Sequence, residues 1–391
     1  MEISRSRLRH NIGAVRQVAG ADAEVLAVIK ADGYGHGAAL IAPVLAEAGV
    51  LWLGVDDVEE GAIVRQALPQ PAAANSPRLL VMCGMDSEDA ADLVANGLTP
   101  VVWTAEHIEE LEAAAAAAGV LSPVHLEIDS GMSRQGAAPG AALTAFLNAL
   151  ARAPHLRLEG VFSHLSSSEV RDTLTGTQTA LQTERFGTAI AEVLAAGVRP
   201  TLLHLANTSA LDEGSTTEWV RRKASQIGAR VLVRPGFAVY GHTLPVEDPA
   251  GTLSPGQLGP GVEPVLVWKT RVIGTRDLQV GETVGYGATF RADRAMRLAL
   301  LPVGYADGFR REASSSIGDG WVVIASQRAP VVGRVSMNLT VVDVSNITST
   351  VQTGDEAVLL GEGVSAEDHA RWCRTIPYEI LCGIRAHRRL V

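Results

Sequence analysis

Ala27-Val28-Ile29-Lys30-Ala31-Asp32-Gly33-Tyr34-Gly35-His36-Gly37 ends a hydrophobic, β-branched run on a lysine and turns at once into a glycine-studded segment. Burying an ammonium costs several kcal/mol, so a lysine at the inner end of a strand has an anionic partner or has given up its proton. A desolvated, neutral lysine is a nucleophile towards aldehydes. The plainer alternative is a lysine that snorkels to the rim of a sheet and pairs with a nearby acid such as Asp32. Gly33, Gly35 and Gly37 let backbone approach a ligand closely, but their spacing differs from the dinucleotide G-x-G-x-x-G pattern, so the turn alone does not specify a phosphate site.

Outward from this stretch, short hydrophobic runs alternate with helical segments. They fall at Leu26 to Lys30, Leu51 to Val55, Leu79 to Met82, Thr99 to Trp103, Val124 to Asp129, Leu158 to His164, Leu202 to Leu205 and Arg230 to Arg234. About eight β/α units in this length predict a closed (β/α)8 barrel over residues 1–244, with the chemistry at the strand C-termini. Lys30, Asp129 to Arg134, His164, His204 with Asn207, and Arg234 all fall there. A Gly- and Pro-rich linker, Pro245 to Pro264, then leads into alternating runs at Val265 to Val272, Arg297 to Val303, Trp321 to Ile324, Thr340 to Val344 and Glu356 to Leu360. These predict a mainly antiparallel β domain over 245–391, which the first few residues of the chain could join, with a helix at Ser365 to Arg374.

With 391 residues, 47% of them hydrophobic, the chain is long enough for two cores and too apolar to be disordered. A net charge of -10 argues against a nucleic-acid surface. The acidic tract Glu106 to Glu112 running into Ala113 to Ala118 reads as one solvated helix. No apolar run is long enough to span a bilayer, and the charged start from Met1 to His10 looks helical rather than like a signal peptide, so a cytoplasmic protein is expected. In that compartment the Asn-x-Ser/Thr triplets at Asn207, Asn338 and Asn346 carry no information. Three scattered cysteines, Cys83, Cys373 and Cys382, give neither a disulfide framework nor a metal-ligand spacing, and no metal is expected.

The Lys30 segment resembles the cofactor-lysine motif of alanine racemases, pyridoxal-phosphate enzymes built from a barrel and a β domain. The resemblance implies that Lys30 holds the cofactor as a Schiff base and serves as base on one face of the substrate. The segment Val284-Gly285-Tyr286-Gly287-Ala288-Thr289 is similar to the motif bearing the catalytic tyrosine, which in that family reaches into the partner subunit of a homodimer. Tyr286 would then be the opposite-face base. A phenol needs cationic or hydrogen-bonding neighbours to act near neutral pH, and His164 and Arg234 match the positions that supply them. Arg234 would face the pyridine nitrogen without protonating it, which weakens the electron sink and suits racemisation over transamination. The cofactor phosphate would rest on the backbone of Gly236 and Phe237, the Thr208 hydroxyl beside Asn207, and the Tyr34 phenol; Thr208 stands where the family commonly has serine. Arg134 matches the arginine that binds the substrate carboxylate. Met337 of the partner subunit would offer its backbone N–H to the same group, Tyr305 would narrow the entrance, and Glu169 and Arg334 would form its outer rim.

The chain departs from this pattern at three further places. Glu127 occupies a position that often carries a carbamylated lysine, so it is expected to hold Arg134 directly without carbon dioxide. Asn338 replaces a frequent aspartate, and Ala386 stands where several relatives have a second gate tyrosine. The wider opening this implies keeps a broad-specificity racemase for serine, lysine or arginine as the rival to an enzyme supplying D-alanine as a peptidoglycan precursor. A decarboxylase of this architecture would bring a reactive cysteine motif that Cys373 and Cys382 do not provide. A non-catalytic pyridoxal-phosphate carrier would need no β domain bearing Tyr286.

Overall fold

The computed structural model describes residues 1–69, 76–171, 177–248 and 250–391. Eight short aliphatic strands are buried on both faces, and such strands satisfy their backbone through parallel neighbours covered by helices. They are β1 (Ala23–Val28), β2 (Trp52–Val55), β3 (Arg78–Val81), β4 (Thr99–Val102), β5 (Ser122–Ile128), β6 (Leu156–Ser163), β7 (Leu202–His204) and β8 (Arg230–Val233). Each pairs in parallel with the next, and Val231 to Val233 of β8 pair back onto Ala23 to Val25 of β1, so the sheet closes into the expected barrel.

The helices begin and end where local chemistry directs. In Ala105–Ala118, the Thr104 hydroxyl accepts the His107 N–H at 3.2 Å and Gly119 closes the helix at φ 66°. Ile108, Leu111 and Ala115 face inwards and Glu106 and Glu109 outwards as its sequence predicts, whereas Glu112 is half-buried and accepts the His155 N–H at 2.9 Å.

Inside the barrel the core is partly polar. His125 on β5 and His204 on β7 share a hydrogen bond of 3.0 Å, and Phe162 on β6 stacks on His204 at 4.5 Å. Glu159, also on β6, accepts from Arg78 at 2.8 Å and lies 3.6 Å from His125. Burial pushes its carboxyl up, but His125 and Arg78 outweigh that and hold it at about 2.

By contacts the chain forms two units, one of Ser6–Gly33 with Ala38–Glu263, the other of Met1–Arg5, Tyr34–Gly37 and Pro264–Val391. The sequence places a boundary near 245, whereas this division falls after Glu263. Residues Pro245 to Glu263 pack with the barrel, contributing the hairpin Val246–Glu247 with Leu253–Ser254; residue 249 in this linker lies outside the described residues.

The second unit contains β9 (Leu266–Arg271), β10 (Gly274–Leu278), β11 (Met296–Leu301), β12 (Trp321–Ile324), β13 (Gln327–Pro330), β14 (Thr340–Asp343) and β15 (Glu356–Leu360). One sheet runs β13-β12-β15-β9 and continues into Glu2–Ile3 and Arg389–Leu390; a second runs β10-β11-β14. The pairings are antiparallel except that of Glu2–Ile3 with Arg389–Leu390. The chain therefore opens on a strand, and the helix begins only at Arg5.

A Cβ on Gly160 would lie 2.6 Å from Nδ1 of His125, whose ring is pinned by His204 and Trp52. Gly160→Ala is therefore expected to destabilise the barrel by about 1–3 kcal/mol, read as a lower urea midpoint at unchanged slope.

Candidate active site

The residues singled out in the barrel lie at or just beyond the C-terminal ends of its strands. Lys30 follows β1, Arg134 lies in the loop after β5, His164 follows β6, Asn207 and Thr208 follow β7, and Arg234 and Gly236 follow β8. A parallel barrel gathers these ends on one rim.

Lys30 pairs with Asp56 rather than Asp32. Its Nζ is 3.3 Å from Oδ1 of Asp56, the residue after β2, and 3.8 Å from Sγ of Cys83, just beyond β3. The lysine side chain is 35% exposed, so it occupies the rim rather than the buried barrel interior. Asp32 is used differently: Oδ1 accepts the Ala38 N–H at 2.8 Å, while its own N–H donates to Oε1 of Glu60 at 2.6 Å. These bonds brace a left-handed turn in which Ala31, Asp32, Gly33 and Tyr34 have φ of 53°, 52°, 64° and 52°.

The glycines of this turn serve packing. A Cβ on Gly33 would lie 2.9 Å from Cδ1 of Ile41, and one on Gly35 would lie 2.2 Å from the Leu381 carbonyl oxygen. The Tyr34 ring lies 6.0 Å from that of Tyr378 in the second unit.

Arg234 is almost wholly buried. Nη2 donates to the Ser163 carbonyl at 2.8 Å and the guanidinium lies 4.8 Å from the Phe162 ring, while Nε and Nη1 have no hydrogen-bond partner among the described residues. Two buried, unsatisfied donors of a cation call for an acceptor at this point. Burial lowers Arg234 to about 10, which leaves it charged at neutral pH. His164 beside it is pushed down to about 3 by burial and by the charges of Arg234, Arg134 and Lys30, so it is a neutral imidazole. Three cations acting on one histidine define an electropositive site.

Thr208 Oγ1 accepts the N–H groups of Gly236 and Ala238 at 3.1 and 3.3 Å, joining the β7 and β8 loops. Asn207 caps the helix Thr208–Glu213 by accepting the Ala210 N–H at 2.9 Å, and Ser168 donates to the same oxygen at 3.0 Å. Phe237 is buried at the start of the following turn, and Glu169 is half-buried, its carbonyl accepting the Glu247 N–H at 3.0 Å.

Arg134 is exposed and has no hydrogen-bonded or ion-paired side chain among the described residues. Its loop is shaped by Asp129, whose Oδ1 accepts the N–H groups of Gly131 at 2.9 Å and Ser133 at 3.0 Å. The expectation that Glu127 grips Arg134 is corrected: the side chain bonded to the Glu127 carboxylate is Gln135, which also donates to the Met82 carbonyl at 2.9 Å. Glu127 points into the barrel, so its neighbour is the residue whose side chain folds back over the strand ends. Burial raises Glu127 to about 7, against the Gln135 bond and the charges of Arg234 and Arg134.

In the second unit Tyr286 is 71% exposed on the turn between the strands Thr283–Val284 and Phe290–Arg291. Arg334 adjoins this turn, its Nη1 lying 3.3 Å from where a Cβ on Gly287 would stand. Tyr305 and Met337 are also exposed and are coupled through backbone: the Tyr305 N–H donates to Ser336 O at 3.1 Å and the Ala306 N–H to Met337 O at 3.0 Å. Gly304 permits that contact, since a Cβ there would lie 2.1 Å from Ser336 O.

Sequence reasoning did not find Asp56, Cys83, Glu60 or Gln135. Their positions just past β2, β3 and β5 were the available signal.

Residues 3–244 match the model of the alanine racemase N-terminal domain, and residues 265–390 that of the alanine racemase C-terminal domain. The chain belongs to the alanine racemase family. A protein named alanine racemase from Syntrophobacter fumaroxidans is 35% identical over 396 residues, covering 99% of this chain and 96% of its own. One of that name from Symbiobacterium thermophilum is 37% identical over 388 residues, covering 98% and 94%. Among solved structures, the alanine racemase of Streptomyces coelicolor A3(2) aligns over 100% of this chain and 96% of its own at 32% identity, TM-score 0.85. That of Bartonella henselae, with covalently bound pyridoxal phosphate, covers 100% and 98% at 26% identity, TM-score 0.81.

Within this racemase-family barrel, the raised Glu127 carboxyl stabilises the fold at low pH. Its contribution is full below the unfolded value near 4.5 and is lost as pH rises through about 7. Glu127→Gln removes that loss. The thermal midpoint of the variant should therefore gain on the unaltered protein between pH 5 and pH 8, by an amount reflecting up to about 3 kcal/mol.

Proposed function

We propose that this chain is a pyridoxal-phosphate-dependent alanine racemase that interconverts L- and D-alanine with two bases, Lys30 on one face and Tyr286 of the partner subunit on the other. The observation that carries the reading is the electropositive rim of a racemase-family barrel, where Arg234 keeps two buried donors without acceptors beside a neutral His164. Those donors, the nearby amine of Lys30, and the Thr208 hydroxyl beside the Gly236 backbone fit the ring nitrogen, aldehyde and phosphate of the cofactor found in the Bartonella henselae structure. Tyr34 and the backbone of Phe237 complete the phosphate cradle, and Asn207 holds the helix start beneath it.

When bound, the cofactor supplies an electron sink for the pair left behind as the α-proton departs. The protein does the rest. Arg234 keeps its own protons and would hold the ring nitrogen as a hydrogen-bond donor without protonating it, which would moderate the sink and disfavour transamination. Arg134, with its guanidinium fork uncommitted, receives the substrate carboxylate, joined by the backbone N–H of Met337 of the partner subunit. Lys30 Nζ takes or returns a proton on one face, and the Tyr286 phenol does so on the other.

In this reading the barrel unit, through Glu263, forms the cofactor domain and the unit containing Pro264–Val391 presents Tyr286 to a second copy. The exposed set Tyr286, Tyr305, Met337 and Leu339 supports a homodimer, because such groups mark a contact surface. Tyr305 then narrows the entrance, with Glu169 and Arg334 outside it. Among the described residues no helix is long and apolar enough to cross a membrane, which accords with a cytoplasmic enzyme supplying D-alanine for peptidoglycan. Ala386 favours a second reading, a wider entrance that admits serine, lysine or arginine.

The test is loss of optical activity of L-alanine, with L-serine, L-lysine and L-arginine in parallel, in the presence of pyridoxal phosphate. Alanine should racemise, Lys30→Ala should abolish turnover, and Tyr286→Phe should slow it by roughly 10²–10⁴-fold. Full activity in Lys30→Ala would overturn the two-base reading, and comparable turnover of the larger amino acids would replace alanine specificity with the broader one.

A further inference from the structure

Asp56 is held from several sides. Its N–H donates to Oε2 of Glu60 at 2.7 Å, its carbonyl accepts the Cys83 N–H at 3.0 Å, and its Oδ1 accepts the Cys83 thiol at 2.7 Å. Lys30 Nζ meets that same oxygen at 3.3 Å. Glu60 also binds the Asp32 N–H through its other oxygen, so one carboxylate ties the loop bearing Asp56 to the turn bearing Lys30. The Cys83 loop is fixed in turn, because a Cβ on Gly84 would lie 2.3 Å from the Trp103 ring. Three consecutive strand ends thus bring an amine, a carboxylate and a thiol together in fixed positions, unlike a mobile surface ion pair.

We propose that Asp56 is a positioning residue that holds the free Lys30 amine in place at the rim and restrains its access to an electrophile while the contact lasts. A hydrogen bond to a fixed carboxylate sets where the amine points and must break before the nitrogen can approach a carbonyl carbon. Asp56 is suited to this because it remains ionised: burial raises its carboxyl, but the Cys83 thiol and the Lys30 charge outweigh that and keep it below the usual range. Cys83 serves as the neutral donor, since burial and then the bond to Asp56 push its thiol up to about 11. The other charged groups acting here are Asp57 and Glu60 from the start of the helix Val58–Ala67, and Arg134, which acts on Cys83; His164 feels the Lys30 charge and is itself neutral. The proposal deepens the proposed function, because restraint of Lys30 matters to catalysis only if Lys30 carries the cofactor.

The chain has three lysines, Lys30, Lys223 and Lys269, so Lys223 serves as an internal reference. Acetic anhydride acylates an unprotonated amine: the N–C bond forms, acetate departs and the nitrogen loses a proton to solvent. The full-length protein freed of cofactor is labelled at neutral pH, and the ratio of acylation at Lys30 to that at Lys223 is read by peptide mass spectrometry. Asp56→Asn should raise the ratio roughly two- to five-fold, the span of a partly exposed ion pair, and Asp56→Ala should do the same. High salt should narrow the difference between variant and unaltered protein, a response that a merely structural role would not give. An unchanged ratio in both variants, or a difference indifferent to salt, overturns the role of Asp56. Adding pyridoxal phosphate to the unaltered protein before labelling should protect Lys30 and not Lys223. Failure of that protection counts against Lys30 as the cofactor lysine and leaves the acylation ratio to judge Asp56 by itself.

Discussion

Closure of the barrel through β8 onto β1 is the constraint on which the site depends. Without the pairing of Ala23 to Val25 with Val231 to Val233, Lys30 and Arg234 would stand at opposite edges of an open sheet. With it, residues separated by some two hundred positions become neighbours on one rim, placed there by strand register alone. The backbone of Val28 illustrates this, since its N–H donates across the closure to the Pro235 carbonyl at 2.9 Å.

The same closure creates an electrostatic problem that the interior answers. Arg234, Arg134 and Lys30 share a small volume, and the groups between them are kept from adding charge of the same sign: His164 is neutral, and His204 is driven well below its usual value, first by burial and then by Arg234. Glu127 sits near the middle of its titration at neutral pH, so its carboxyl offsets only part of the positive charge. The rim thereby keeps a net attraction for anions, which steers small acidic molecules towards it.

Much of this architecture is legible in the sequence, because it rests on short-range pattern. Buried parallel strands are continuous aliphatic runs, and all eight declare themselves. The strands Trp321–Ile324 and Glu356–Leu360 coincide with their predicted bounds for the same reason. Glu2–Ile3, Gln327–Pro330 and Arg389–Leu390 are too short or too polar to signal a strand; they exist because a neighbouring strand offers them a ladder. At the site, residues inside distinctive motifs could be picked out, whereas Asp56, Cys83 and Gln135 could not. Only their places just past strand ends mark them, since their importance comes from which strand ends adjoin. Glu127 is bonded to Gln135 and not to Arg134, which no local pattern announces, because side-chain direction at a strand end is a three-dimensional property.

The left-handed turn after Lys30 bears on the order in which this protein can fold. Non-glycine residues with positive φ cost roughly 1–2 kcal/mol each, and three of them occur together at Ala31, Asp32 and Tyr34. Their support includes a bond from Glu60, nearly thirty residues downstream. A nascent chain ending before Glu60 lacks that brace, and its Lys30 segment has reason to relax to ordinary extended or right-handed backbone. The corner of the barrel that carries Lys30 therefore gains its full brace only once the second β/α unit has docked on the first, so the amine is not set in its final geometry while the chain is still short.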